Sequence, residues 1–296
     1  MANAANPATA RGIFLQSTPG GLAQYRSLKD SGVTYRVVGR YAVSSDVSLY
    51  ASYARGRRPE VLSVAAPLAP QGPARFTPVA AEVVDSYEAG AKTQWLDRRL
   101  ALEGSIYHFA YTNFQTSIQI SPGVFQTISA GDASSTGFEG QINLKPTDQL
   151  TVFGTYAYNN GRFDNGRFKG NSFRLSPDHT ASFGVKYVVP VFNGDLTILP
   201  TYTWQSKVFF DNDNDIPALQ STGDRVQDEV QSPYGLVNLR LSYQPSDANW
   251  RVEAFASNLF DRDYIKDAGN TGGAFGIPTF IAGEPRYFGA AFSIRY

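Results

Sequence analysis

The sequence has no cysteine, only two histidines and one methionine, and its 26 basic side chains are matched by 26 acidic ones over 296 residues. Each shortage closes off a class of protein. Without cysteine there is no disulfide framework, no thiolate zinc site and no iron–sulfur cluster. His108 and His179 alone leave little for metal or acid–base chemistry, no cofactor is expected, and the zero net charge offers no basic footprint for nucleic acid. No window approaches about 18 uninterrupted apolar residues, so a helical membrane span is not expected. Charged residues make up 18% and aromatic residues 14% of the chain. That charge is below the usual fraction of about a quarter in soluble domains, and the aromatic content argues against disorder. The start, Met1-Ala2-Asn3-Ala4-Ala5-Asn6-Pro7, lacks the basic and apolar regions of an export signal. The expectation is therefore either a cytoplasmic protein or the mature or truncated piece of an exported one.

What the sequence does have is a period of two. In Val33-Thr34-Tyr35-Arg36-Val37-Val38-Gly39-Arg40-Tyr41 the odd positions are mostly apolar or aromatic and the even ones carry Thr34, Arg36 and Arg40. That is a strand with one oily and one polar face. Comparable segments run over 47–53, 83–92, 100–111, 137–144, 150–158, 181–189, 196–204, 235–243, 250–257 and 287–296. They amount to about 11 strands, many near the roughly 9–11 residues that a tilted strand needs to cross a bilayer. A soluble sandwich or propeller would also alternate, but no repeat of roughly 40–50 residues marks propeller blades.

The connections between strands alternate between short and long. Short ones, such as Ser44-Ser45-Asp46, Leu96-Asp97-Arg98 and Phe192-Asn193-Gly194, are rich in turn residues. Long ones run roughly over 56–82, 118–135, 160–177, 211–233 and 261–285. Outer-membrane barrels pair short periplasmic turns with long external loops in this way, whereas soluble domains seldom hold so many loops above about 12 residues. The alternation predicts Arg36, Arg40, Glu88, Lys92, Arg99, Glu103, Glu139, Lys186, Arg240, Arg251 and Glu253 on the lumen side. It predicts Val37, Leu49, Leu102, Ile142, Phe183, Ile198, Leu239 and Val252 against lipid, with Trp95, Tyr187, Trp204, Tyr243 and Trp250 near the interfaces.

The last segment, Arg286-Tyr287-Phe288-Gly289-Ala290-Ala291-Phe292-Ser293-Ile294-Arg295-Tyr296, stops on an aromatic residue. Phe292, Ile294 and Tyr296 share one face, which resembles the C-terminal assembly signal of bacterial outer-membrane barrels. With Asn258-Leu259-Phe260-Asp261-Arg262-Asp263-Tyr264 and Gly283-Glu284-Pro285-Arg286 ahead of it, the end of the chain resembles that of TonB-dependent outer-membrane receptors. The pieces Tyr50 to Glu60, Ser86 to Lys92 and Ser134 to Gly140 are similar to the same family, so the resemblance spans residues 33–296. It implies an all-β, antiparallel transmembrane barrel domain over 33–296, preceded at 1–32 by an external loop or partial strand. Complete barrels of this kind have 22 strands around a plugged lumen. About 11 or 12 strands therefore correspond to the C-terminal half of one, from a truncated gene or a gene fragment. The plug and its coupling box are not expected ahead of Val33.

The resemblance implies energy-coupled uptake of a scarce ligand across the outer membrane of a Gram-negative bacterium, a ferric siderophore first. Carbohydrate, cobalamin or haem are alternatives of the same class, and a self-standing pore or adhesin barrel is one of a different class. Expected partners are outer-membrane lipid and lipopolysaccharide, the barrel assembly machinery, and a small-molecule ligand. The energy-coupling TonB complex would be reached only through the plug. An enzyme is not expected, because His179 and Ser182 lie three apart and so on opposite faces of a strand, and His108 has no serine on its face. Arg55, Arg57 and Arg58, at the opening of the longest external loop, are candidates for steering an anionic ligand or for pairing with lipopolysaccharide phosphates. Asp211, Asp213 and Asp215 place carboxylates at every second position, a spacing that lets oxygens converge on calcium, although Ile216 and Thr222 depart from the helix–loop–helix calcium pattern.

Overall fold

A strand whose neighbours differ on its two faces must alternate, and a sheet built from such strands acquires one apolar and one polar surface. The computed structural model describes residues 27–65, 75–121, 124–220, 229–268 and 279–294. In chain order the strands begin with β1 (Tyr35–Ala42), β2 (Val47–Arg58), β3 (Val61–Ala65), β4 (Arg75–Val79), β5 (Glu82–Trp95) and β6 (Leu100–Thr112). There follow β7 (Gln115–Ser121), β8 (Val124–Ser129), β9 (Ala133–Leu144), β10 (Leu150–Phe163), β11 (His179–Val191) and β12 (Gly194–Gln205). The last are β13 (Val208–Phe209), β14 (Val230–Gln231), β15 (Tyr234–Pro245), β16 (Trp250–Ser257), β17 (Ile265–Ala268), β18 (Phe280–Ala282) and β19 (Tyr287–Ile294).

Eleven of these form one sheet in the order β1-β2-β5-β6-β9-β10-β11-β12-β15-β16-β19. Every neighbouring pair is antiparallel, from Tyr35 opposite Arg55 at one edge to Trp250 opposite Ile294 at the other. All eleven expected strands are present, and each short connection joins neighbours at one end of the sheet. The turn at Phe192 and Asn193, with φ of 50° and 54°, has the left-handed pair that matches the twist of a two-residue hairpin. The long connections all emerge at the opposite end. Four of them carry a small hairpin: β3 with β4, β7 with β8, β13 with β14, and β17 with β18.

The strands run further toward the long loops than the alternation alone predicts. β2 continues through Arg55, Arg57 and Arg58 because its backbone stays in register with β5, ending at Arg58 opposite Glu82. β10 likewise continues to Phe163 opposite Ala133.

The cross-strand register sorts the faces. Lys92 lies opposite Ser48 and Glu103, and Glu139 opposite Ser105 and Ala157. Arg240 lies opposite Leu199 and Phe255. On the other face Leu102 meets Thr93 and Ile142, Leu239 meets Pro200 and Ala256, and Val252 meets Tyr243 and Phe292. Ile106, Phe138, Phe288 and Phe292 are among the large exposed apolar residues there. Aromatic side chains mark both ends of this face. Tyr35, Tyr53 and Tyr87 stand in a row at the long-loop end, with centroids 5.7 and 5.0 Å apart. Tyr243, Trp250 and Phe292 do so at the short-turn end, at 5.9 and 6.3 Å. Interfacial belts of a membrane barrel have this arrangement.

Among the described residues most of the buried side chains collect among the long loops. Phe163 and Phe168 pack with Ala130 and Ala133 against Tyr111, Phe114 and Phe173. Val208, Phe210 and Ala268 pack against Ile265. Asparagines tie these loops together by imitating backbone. Asn214 accepts from the Ser172 amide at 2.7 Å and donates to the Ser172 carbonyl at 2.9 Å, while Asn212 donates to Thr116 Oγ1 at 2.9 Å.

Candidate functional site

The charged face carries two adjoining cavities, of about 370 and 480 Å³, that share Glu88, Ser105, Glu139, Ala157 and Thr180. One strand supplies the spine of both. Along β6 the side chains of this face are, in order, Glu103, Ser105, Tyr107, Phe109 and Tyr111, so the wall grades from charged to aromatic toward the long loops. In the lower cavity the Lys92 ammonium lies 2.7 Å from Glu103 Oε2, and the Tyr50 hydroxyl donates to Glu88 Oε1 at 2.6 Å. In the upper one Tyr107 and Phe109 are stacked, 5.0 Å apart at 25°, and Tyr111 meets Phe173 edge-on at 6.1 Å. The Tyr107 hydroxyl donates to Asn159 Oδ1 at 3.2 Å, and Ser135 also donates to that oxygen. Further along the sheet Glu253 receives Arg240 at 2.7 Å and Arg251 at 2.9 Å. The arrangement offers aromatic faces, hydroxyls and fixed carboxylates to a ligand held against the wall. The signal for it is legible in retrospect: three aromatic residues on the same parity as Glu103.

The three candidate arginines do not converge. Arg58 is on the charged face and donates to the Gln115 carbonyl at 3.1 Å. Arg55 and Arg57 share the apolar face with Tyr53, at its long-loop end, and each has a carboxylate partner. Arg55 lies 3.7 Å from Asp85, and Arg57 is bonded to Asp30. Asp30 also accepts from the Glu60 amide at 2.9 Å and so docks the segment ahead of β1. The Arg57 hydrogen bond, followed by the Glu60 amide, holds the Asp30 carboxyl below its ordinary pKa. A lowered carboxyl pKa stabilises the docked form at every pH above its unfolded value, and this is lost as pH falls through the lowered value. Exchange of the Glu60 amide, corrected for its intrinsic pH dependence, should thus stay constant from neutral pH down to about 4 and rise only below it. Asp30→Asn should abolish that dependence, and a rise beginning above pH 5 would contradict the assignment.

Asp213 and Asp215 come together with Glu229, their oxygens all within 4.8 Å of one another; Asp211 is not in that group. The Asp211 carboxylate accepts from the Asp213 amide at 3.3 Å. The two histidines lie on the apolar face, opposite Tyr87 and Tyr158. His108 Nδ1 is 2.7 Å from Thr136 Oγ1 and His179 Nδ1 is 2.8 Å from the Tyr156 hydroxyl. Ser182 faces the other way, opposite Thr155. Of the terminal residues, Phe292 lies opposite Val252 and Ile294 opposite Trp250. Tyr296 falls outside the described residues.

Three comparisons bear on what such a wall belongs to. Residues 11–259 match a family model described as TonB dependent receptor-like, beta-barrel. The chain is 29% identical over 217 residues to the metal-pseudopaline receptor of Pseudomonas aeruginosa strain UCBPP-PA14, covering 71% of this chain and 27% of that protein. It is 26% identical over 194 residues to the ferrichrome outer membrane transporter/phage receptor of Escherichia coli strain K12, covering 64% and 24%. The chain thus spans about a quarter of the length of these curated relatives. Among solved structures, the ferric yersiniabactin uptake receptor of Yersinia pestis superposes with a TM-score of 0.68 at 19% identity, over 88% of this chain and 36% of that one. At that identity the likeness establishes the fold.

Proposed function

This chain belongs to the TonB-dependent receptor β-barrel family of the Gram-negative outer membrane, and from that premise we propose that it forms the C-terminal half of a barrel for energy-coupled uptake of a ferric siderophore. In this reading residues 33–296 are the barrel part; of the segment 1–32 ahead of it, expected as an external loop or partial strand, residues 1–26 lie outside the described residues and 27–32 form no strand. The observation that carries the reading is the charged and aromatic wall of β5, β6 and β9, with its cavities below a cap of long loops. A ligand entering from outside meets the loops first and this wall next. The relatives named for metal-pseudopaline and for ferrichrome support a metal-bearing small molecule as cargo. Lipopolysaccharide would lie against the apolar face, and the assembly machinery would act on β19. Coupling to the TonB complex would pass through a plug domain seated against the charged face.

The test is accumulation of radioactive iron from ferric chelates in cells lacking their own receptors, expressing the full-length receptor that contains this chain. Uptake that depends on the energy-coupling protein is the expected result, with residues 1–296 alone giving none. Passive entry of small solutes by the full-length protein, indifferent to the coupling protein, would point instead to a self-standing pore.

A further inference from the structure

The charges at the two cavities are not balanced, even with Arg40, opposite Tyr50 on the same face, counted beside Lys92. Glu88, Glu103 and Glu139 all line the lower cavity, and the cation lining it is Lys92, whose ammonium is held 2.7 Å from Glu103. That pairing leaves Glu88 and Glu139 at the boundary shared by both cavities, and among the described residues the upper cavity is lined by those two carboxylates with no lysine or arginine. Above them the wall is Tyr107, Phe109 and Tyr111, which offer ring faces and no positive charge. A cleft of one sign with low-dielectric walls focuses its field on whatever enters it.

Resting on the uptake reading above, we infer that the chelate this wall accepts is neutral or cationic, a ferric trihydroxamate rather than a ferric triscatecholate. The distinction follows from the charge on the ligand. Three singly charged hydroxamates cancel the charge of ferric iron, and a linear trihydroxamate with a free amine is a cation. Three doubly charged catecholates leave a complex with three negative charges, which Glu88 and Glu139 repel. The aromatic residues above take the hydrocarbon periphery of the chelate, and Thr180 supplies a hydroxyl for one of its carbonyl oxygens.

The experiment is equilibrium binding of three probes to the purified full-length receptor: a cyclic neutral ferric trihydroxamate, a linear cationic one, and a ferric triscatecholate. We expect the triscatecholate to bind at least about tenfold more weakly than either hydroxamate at low salt, and the gap to narrow as salt screens the carboxylates. Glu88→Gln combined with Glu139→Gln should close most of that gap, since glutamine keeps an acceptor for the Tyr50 hydroxyl and removes the charge. Because each protein is its own control across the three probes, a partial loss of folded receptor leaves the ratio intact. Preferential binding of the triscatecholate, or a ratio unmoved by the double variant, overturns the inference while leaving ferric uptake in place. Failure of all three probes to bind overturns the uptake reading and this inference with it.

Discussion

Arginine in place of Ile106 is expected to cost the barrel about 2–4 kcal/mol in a bilayer. Arginine in place of the adjacent Ser105 is expected to cost less than about 1 kcal/mol. The two positions are one residue apart near the middle of β6, but the pleat sends them to opposite faces. Ile106 lies opposite Ala89 and Phe138 and is 65% exposed on the apolar face. Ser105 lies opposite Gly90 and Glu139 and lines both cavities. A guanidinium at 106 would sit in hydrocarbon, with the Ala89 and Phe138 side chains nearest to it across the strands. One at 105 would stand beside Glu139 in a wet wall. Urea unfolding of the full-length receptor refolded into lipid vesicles measures both. Equal losses would remove the case for this assignment of faces, and a larger loss at Ser105 would reverse it. The Ser105 variant has a second use, because a cation placed there should favour the anionic chelate that the unaltered wall repels.

That contrast rests on a feature legible in the residues. Strands between lipid and a wet lumen must alternate, and in this chain they do so in every segment that joined the sheet. The alternation of short turns with long loops was equally open to reading, since hairpin ends need only a few turn residues. Other features depend on partners distant in sequence. Arg55 and Arg57 follow Tyr53 by two and four residues, so their parity was already set. That β2 keeps its register that far is decided by β5, through the pairs Arg55 with Asp85 and Arg57 with Val83. The grouping of Asp213 and Asp215 with Glu229 needs the β13–β14 hairpin, which brings Glu229 to Asp215 across a separation of 14 residues. The hairpins β3–β4 and β7–β8 lie inside the long connections, where no sustained period of two marks them off from loop. Their strands are fixed by pairing with each other.

A different kind of constraint operates where the sheet carries glycine on its charged face, and two alanine substitutions there should behave differently although both overfill a tight space. The rings of Tyr50 and Phe255 lie over Gly90 and Gly289, and Phe153 and Tyr107 do the same over Gly184 and Gly137. A β-carbon at Gly184 would come within 2.2 Å of Phe153 Cζ, and its three nearest atoms all belong to that ring. A β-carbon at Gly137 would come within 2.1 Å of the Tyr158 carbonyl oxygen, with the Tyr107 hydroxyl next at 2.5 Å. A ring at the end of a side chain can be shortened by mutation; a carbonyl in the β9–β10 ladder cannot move without breaking its pairing. Gly184→Ala should therefore cost about 1–3 kcal/mol and recover most of it when combined with Phe153→Leu, a coupling expected of residues in contact. Gly137→Ala should cost about 2–4 kcal/mol and stay impaired when Tyr107 is also replaced by alanine. The same vesicle unfolding assay decides between the two. Rescue of Gly137→Ala by Tyr107→Ala would mean that ring crowding, and not the carbonyl of the neighbouring strand, demands glycine there.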